Sequence, residues 1–480
     1  MGKNKENKEN KEKPLIDISL RTFIQVTVLL VVLMAAAIVM TYVIPAGRFG
    51  TLADGATDYT VYERIEGQSG ISIWKGILAP ILVFGSEDSL TLIMLSVFLL
   101  VISAAFQVMN DTGGINALVS TVSRRFKNRR YILIAVLSLL FMSFGAFLGL
   151  FEEMLTMLPI VSILCVMNGF DSFTGFLVCI VSCGFGFASG ITNPFTVLLA
   201  SEIIGVDPME NVWYRIVIFI VMYLLLLGFI FLYLRRLQKD PSKSCTYEHD
   251  QRLKADARSA PDSSSDSRRT LTVYSAFLLM SLVIITLCSV IPALRSYTVV
   301  VLTGYFLICG LAAGALCSSS FKAVLRSFGR GIIGALPTIV FISLAASVKY
   351  IFDEGSILPT IANQINTLAS GKNIFLVALT VYGIVLFLEF FISSSTAKAI
   401  LVMGLLSVVN LELSDRMSVL IYTFADGYTN LLFPTSPVLL ISLSMIETDY
   451  FKWVKRSWPL FVVNLLLVFA FLALGIVIGY

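Results

Sequence analysis

The chain has one histidine, little charge and no close pair of cysteines, and each shortage closes off a class of function. His249 lies in a polar segment, so no apolar stretch carries the histidines of a buried metal site or of an HExxH protease helix. The seven cysteines are scattered without a CxxC pair. Cys179 and Cys183 fall one helical turn apart and read as small packing residues of a membrane helix rather than as ligands. A paired-aspartate intramembrane enzyme needs two facing membrane aspartates, and Asp426 alone is a candidate. No Gly-rich loop ends in Gly-Lys-Ser/Thr, so ATP-driven pumping has no motif to rest on. Charged residues make up only 14%, and the net charge of +4 sits in loops rather than on one face, which excludes nucleic acid as a partner. These absences leave a non-enzyme with no cofactor.

What is present is apolar: 57% of 480 residues are hydrophobic, and the mean hydropathy is +0.87. A soluble domain of this length cannot cover that much apolar surface, whereas a lipid bilayer can solvate it. The tail MGKNKENKENKEKP is polar and of low complexity, and is expected to be disordered. The run from Thr22 to Pro45 is long enough to span and too long for a signal-peptide core, so it reads as an uncleaved first helix. Apolar runs then recur to the last helix, interrupted by one substantial polar linker, 235–269, with nine Lys/Arg. The expected organisation is a disordered cytoplasmic tail over 1–21, a first repeat over 22–234 and a cytoplasmic linker over 235–269. A connecting helix over 270–296 and a second repeat over 297–480 complete it.

Basic residues set the orientation. The linker and the loop with Arg124, Arg125, Lys127, Arg129 and Arg130 fall on the cytoplasmic side, with the N-terminus. The loops with Lys322, Arg326 and Arg330 and with Lys452, Lys455 and Arg456 join them, and the acidic 46–87 loop is external. These assignments agree only if 130–168 and 373–411 each enter and leave on one side, as helical hairpins with tips at 150–153 and 392–396. The halves also match at an offset of 241 to 242 residues: Asp111, Gly113 and Ile115 fall on Asp353, Gly355 and Ile357. Asn168 falls on Asn410, Gly186 on Gly427, Val197-Leu198-Leu199 on Val438-Leu439-Leu440, and Arg215 on Arg456. Five crossings separate equivalent points, so the repeats are inverted. The expected fold is an all-α polytopic membrane protein of two inverted repeats, each with a re-entrant helical hairpin and a broken transmembrane helix. That plan is typical of secondary transporters.

Four segments break the apolar pattern where lipid could not tolerate free backbone. Two are the hairpin tips, Gly149-Leu-Phe-Glu152-Glu153 and Ser393-Ser394-Ser395-Thr396-Ala-Lys398. Two interrupt helices: Ser189-Gly190-Ile-Thr192-Asn193-Pro194, and Asp426-Gly427-Tyr428-Thr429-Asn430 running on to Pro434-Thr435-Ser436-Pro437. Gly and Pro release backbone polar groups, and Ser, Thr and Asn offer partners, so such breaks persist only where they line an enclosed cavity. A carboxylate at mid-membrane costs at least about 2.5 kcal/mol, which makes Glu152, Glu153 and Asp426 functional candidates. Solvation of the tip at the outer surface is the bland alternative for the glutamates. Glu389, one turn before the second tip, reads as a partner for Lys398 or an interfacial residue. Lys398 itself reads as a substrate-carboxylate contact, a structural ion pair or a snorkelling side chain.

At these segments the chain resembles the C4-dicarboxylate anaerobic carrier-like family, and its YfcC-type branch in particular, within the ion transporter superfamily. The most specific pieces are Gly149-x-x-Glu152-Glu153, Ser189-Gly-Ile-Thr-Asn193-Pro194-Phe195 and Asp426-Gly427-Tyr-Thr-Asn followed by Phe433-Pro434-Thr435-Ser436. The resemblance implies a plasma-membrane homodimer with a scaffold part and a transport part, working by an elevator-type movement. Superfamily members with Ser-Asn-Thr tips use them for sodium and carboxylate. Here the first tip has Glu152-Glu153 and the second lacks Asn, which argues against a sodium-coupled dicarboxylate mechanism.

A dianion facing three carboxylates would be repelled, whereas an ammonium or guanidinium would be attracted. The expected substrate is therefore a small carboxylate-bearing solute, an amino acid of the arginine or ornithine type, moved by exchange or by coupling to sodium or a proton. Glu153 and Asp426 are expected to hold the cation, with Glu152 beside them. Ser189, Thr192, Asn193, Ser394, Ser395 and Thr396 are expected to hold the carboxylate or coupling ion, with Gly190, Thr429, Asn430, Thr435 and Ser436 completing the site. Sodium- or proton-coupled C4-dicarboxylate transport is the runner-up, and a non-transporting receptor or channel is the rival of another class.

Overall fold

The computed structural model describes residues 20–51, 57–67, 70–86, 89–126, 129–259, 266–295, 297–318, 320–369, 373–392, 395–406 and 413–480. Residues 1–19 of the tail, Asp54, Glu87, Lys127, Lys372, Ser393, Ser394 and Asn410 lie outside them. Among the described residues seven helices are long and apolar enough to cross a membrane, by length and composition. The protein is a multi-pass, helical membrane protein.

One packing group is built from α1 (Leu20–Val43), α2 (Ile73–Leu82), α3 (Ser89–Asp111), α4 (Gly114–Phe126), α11 (Asp266–Val290), α12 (Thr298–Cys317) and α13 (Phe321–Glu354). α13 is the spine: it lies along α1, α2 and α3, and α3 in turn lies along α12. Small residues allow this, since a β-carbon on Gly331 would meet the Ala104 Cα at 2.5 Å.

The second group comprises α5 (Arg130–Leu148), α6 (Leu158–Met167), α7 (Ser172–Ala188), α8 (Pro194–Ile204) and α9 (Val212–Lys239) from the first half of the chain. From the second half come α15 (Ile374–Glu389), α16 (Ser395–Leu406), α17 (Asp415–Leu432), α18 (Pro437–Met445) and α19 (Tyr450–Ile478). α14 (Leu358–Ala369) packs on both α15 and α16. α7 and α17 are adjacent at its centre.

α5 and α6 form a hairpin around α7. Gly145 and Gly186 press α5 onto α7, their built β-carbons falling 2.0 Å from the Cys183 carbonyl oxygen and 1.8 Å from the Met142 oxygen. The chain turns at Gly149, whose φ of +67° suits a residue without a β-carbon, and returns alongside α7. Cys183 and Cys179 donate to the Leu150 and Met154 carbonyls on that return, a packing role for both thiols. α6 then ends beside the start of α5, with Arg130 Nη1 3.2 Å from a β-carbon built on Gly169.

Two expectations change here. The 46–87 segment is not simply a loop: β1 (Gly47–Thr51) and β2 (Thr57–Arg64) form an antiparallel hairpin, followed by α2. A Tyr62–Thr360 hydroxyl contact of 2.8 Å ties that hairpin to α14. The linker is also structured in part. α10 (Tyr247–Ser259) packs on α6, with Asp250 accepting the Ser172 amide at 3.0 Å and His249 Nδ1 3.2 Å from Glu447.

Candidate functional site

The first break separates α7 from α8 at Ser189–Asn193. α8 begins there because Pro194 has no N–H to lose and Asn193 caps the next two amides, Phe195 at 2.9 Å and Thr196 at 3.3 Å. The freed groups are met by the end of the first hairpin. The Ile191 and Thr192 amides donate to the Ala146 carbonyl at 2.9 and 3.2 Å, and the Thr192 hydroxyl to Phe147 at 3.0 Å. Asn193 Nδ2 reaches the Gly145 carbonyl at 3.3 Å, and Ser189 Oγ bonds the Phe185 carbonyl. Arg215, buried on α9, aims Nη1 at the Gly190 carbonyl from 3.4 Å. In the sequence Arg215 stands out as a repeat match to Arg456, and a cation inside an apolar run is the signal of its role at the break.

The second break is shorter than expected. Asp426, Gly427, Tyr428, Thr429 and Asn430 are all helical within α17, which ends at Leu432, and the break is confined to 433–436. Gly427 does not loosen the helix; it lets α17 touch α7, since its built β-carbon would lie 2.1 Å from the Ala188 Cα. The break falls where Pro434 and Pro437 remove two donors, and Ser436 caps α18 by accepting the Leu439 amide at 3.5 Å. Thr435 is buried beside it.

Asp426 faces a partner from the second hairpin. The Lys398 ammonium ion-pairs with both Glu389 and Asp426, all three buried. Thr429 Oγ1 adds a 3.3 Å contact to the same Glu389 oxygen, and Asn430 Nδ2 lies 2.8 Å from the Asp426 carbonyl and 3.5 Å from its Oδ1. The Ser395 carbonyl accepts from the Tyr422 hydroxyl, which fixes the start of α16 against α17. Of Thr396 only the backbone, in the first turn of α16, is described. Asp426 is therefore engaged by a lysine rather than open to a substrate cation.

Glu152 and Glu153 form one short 3-10 turn, Glu152–Thr156, packed against α18 and α3. Glu153 is 8% exposed and Glu152 half-buried, and no ion pair meets either among the described residues. Among the described residues no hydrogen bond or ion pair joins them to Asp426. The site residues thus fall into three places: the acidic tip, the first break with its hairpin, and the Lys398 cluster. A cavity of about 420 Å³ opens elsewhere, lined by Val43, Pro45, Thr360, Ile361, Gly383 and Phe387, and none of the expected site residues borders it.

The profile of the C4-dicarboxylate anaerobic carriers (DcuC) matches residues 23–477. The chain belongs to the C4-dicarboxylate anaerobic carrier family. It is similar to the "Putative basic amino acid antiporter YfcC" of Escherichia coli (strain K12), 27% identical over 384 residues, covering 76% of this chain and 74% of that protein. An uncharacterized protein of Haemophilus influenzae is 22% identical over 385 residues, covering 78% of this chain and 74% of its own. Among solved structures, the YdaH transporter of Alcanivorax borkumensis aligns over 95% of this chain and 99% of its own, with 16% identity and a TM-score of 0.43. MtrF of Neisseria gonorrhoeae aligns over 93% and 94%, with 14% identity and the same TM-score of 0.43. As a member of this carrier family the protein is a membrane transporter and not an enzyme.

Proposed function

We propose that this carrier moves a cationic amino acid, of the arginine or ornithine type, by exchange. The observation that carries the reading is the contrast between two carboxylate pairs. Glu389 and Asp426 share Lys398, whereas Glu152 and Glu153 have no cation opposite them among the described residues. A buried carboxylate without a counter-charge is expensive, and a substrate guanidinium or ammonium supplies the missing partner. The capped N-termini of α8 and α18 offer positive dipole ends to the substrate carboxylate. The name of the E. coli relative points the same way.

Inverted repeats and an elevator-type movement of a homodimer complete the proposal. Supporting it, each half's hairpin packs on the other half's broken helix: the Glu152–Thr156 turn on α18, and α16 on α8. The two packing groups offer a scaffold and a moving part. The basic linker and the 124–130 loop support a cytoplasmic N-terminus. A C4-dicarboxylate is the second reading, favoured by the family's description and by Arg215, a buried cation at the first break.

The test is uptake of labelled arginine by proteoliposomes preloaded with arginine, ornithine, succinate or buffer. Uptake that requires arginine or ornithine inside supports the proposal. Succinate accumulation under a sodium or proton gradient, without arginine uptake, overturns it in favour of the second reading.

A further inference from the structure

The Lys398 cluster has one charge too many. Two carboxylates face one ammonium, all three side chains no more than 1% exposed, so the cluster as ionised holds a net negative charge inside the protein. Lys398 and its hydrogen-bonded neighbours occupy one oxygen of each carboxylate. The others, Glu389 Oε1 and Asp426 Oδ2, are buried and accept no hydrogen bond. The charged groups that meet here come from three elements: Glu389 from α15, Lys398 from α16 and Asp426 from α17. Thr429 and Asn430 contribute only neutral contacts, and the Tyr422 phenol is spent on the Ser395 carbonyl. α7, packed on α17 through Ala188 and Gly427, presents no charge at that contact.

Two spare carboxylate oxygens and one surplus negative charge suit one ligand of charge +1 and very small size. Among the described residues two oxygens are left over, fewer than a sodium ion takes, and the ammonium already holds the position between the carboxylates. A proton needs a single oxygen. We propose that Glu389, Lys398 and Asp426 form a proton-binding site that makes transport depend on pH. One O–H bond forms on Glu389 Oε1 or Asp426 Oδ2 as an O–H bond of a hydronium ion breaks and releases water. The cluster goes from net −1 to neutral, and one of the two ammonium–carboxylate contacts weakens. The pair titrates as a unit, so the proton belongs to both carboxylates.

The placement gives that proton something to do. Glu389 is the last residue of α15 and Lys398 lies in the first turn of α16, so the cluster ties the facing ends of these two helices to α17 through Asp426. Proton binding weakens that tie, and any movement of α15 and α16 against α17 must in turn change the affinity for the proton. The inference rests on the transporter function of the family, not on the identity of the solute.

The experiment is infrared difference spectroscopy of the full-length protein in lipid vesicles, stepping the pH with no solute present. Wild type, E153Q, E389Q, D426N and the E389Q/D426N pair are compared. Wild type is expected to show a buried protonated-carboxyl band that E153Q retains and the double variant loses. If the double variant does not fold, each single variant must shift or remove the band. Arginine exchange in wild type is then expected to change by up to about tenfold per pH unit on its proton-controlled limb, and the residual exchange of E389Q to be flat. A band unchanged in every Glu389 and Asp426 variant, or a pH profile retained in E389Q, makes the cluster a structural ion pair and overturns the inference. Absence of arginine exchange in wild type counts against the solute reading alone, because the spectra are recorded without solute.

Discussion

Gly427 on α17 and Ala188 on α7 touch backbone to backbone, one from each half of the chain and each a few residues ahead of a helix break. The helices approach this closely only because Gly427 has no β-carbon. Gly427→Ala is expected to push them apart, costing about 1–3 kcal/mol as an overpacking change and disturbing both breaks together. Thermal unfolding in detergent, with transport measured alongside, checks this; wild-type stability with full transport would contradict the packing described.

Among the described residues Lys398 is the single cation paired with two buried carboxylates. Lys398→Met removes it and leaves both charges uncompensated, with an expected loss of about 3–5 kcal/mol. The triple change K398M/E389Q/D426N removes the charges as well and is expected to recover much of that loss. Unfolding midpoints of the two variants in lipid nanodiscs test the relation, which fails if the triple variant is the less stable one.

Asn193 joins three jobs: it caps Phe195 and Thr196 and reaches the Gly145 carbonyl of the first hairpin. Asn193→Ala loses all three, at about 0.5–2 kcal/mol for the cap. Asn193→Asp keeps the cap and loses the donor to Gly145. Transport is expected to fall in both variants, while stability falls mainly in the alanine variant. Equal stability of the two would show that the cap contributes little.

The docking of α10 carries a pH dependence with a definite sign. Burial alone would push the Glu447 carboxyl up, but its bond to His249 and the charges of His249 and Arg252 outweigh that and hold it below the usual carboxylate range. A group lowered on folding adds stability that is present above its unfolded value and is lost as pH falls through its folded value. The contact is therefore expected to persist at neutral pH and to weaken on acidification below the ordinary carboxylate range. Hydrogen exchange of residues 247–259, followed against pH in wild type and Glu447→Gln, reads it directly. A mutant that protects α10 as well as wild type at neutral pH would contradict the contact.

Much of this was legible from residue order alone. Asn193-Pro194 announces a capped restart of a helix, and the structure has one there. Gly149 announces a turn, and it adopts a left-handed φ. The second break was legible in kind but not in extent. Gly427 beside Asp426 reads as a helix breaker in sequence, whereas its role is a contact with a helix about 240 residues away. The same distance hid the state of Asp426, because Lys398 reaches it only once the second hairpin has packed. The β-hairpin over 47–64 was missed inside a polar, charged loop, although the alternation around Tyr59 and Val61 hinted at it. The docking of α10 includes Asp250 meeting Ser172 at the start of α7, a tertiary contact with no local signal.

In the proposed function Glu152 and Glu153 hold the cationic group of the solute. That role is tested most directly by equilibrium binding of labelled arginine to the purified protein, with ornithine and succinate as competitors and Glu153→Gln and Glu152→Gln alongside. Displacement by ornithine and not by succinate, with affinity reduced at least about tenfold in Glu153→Gln as loss of a charged contact implies, is the predicted result. Succinate binding that is unchanged or strengthened in the glutamine variants, with no arginine bound, would contradict it.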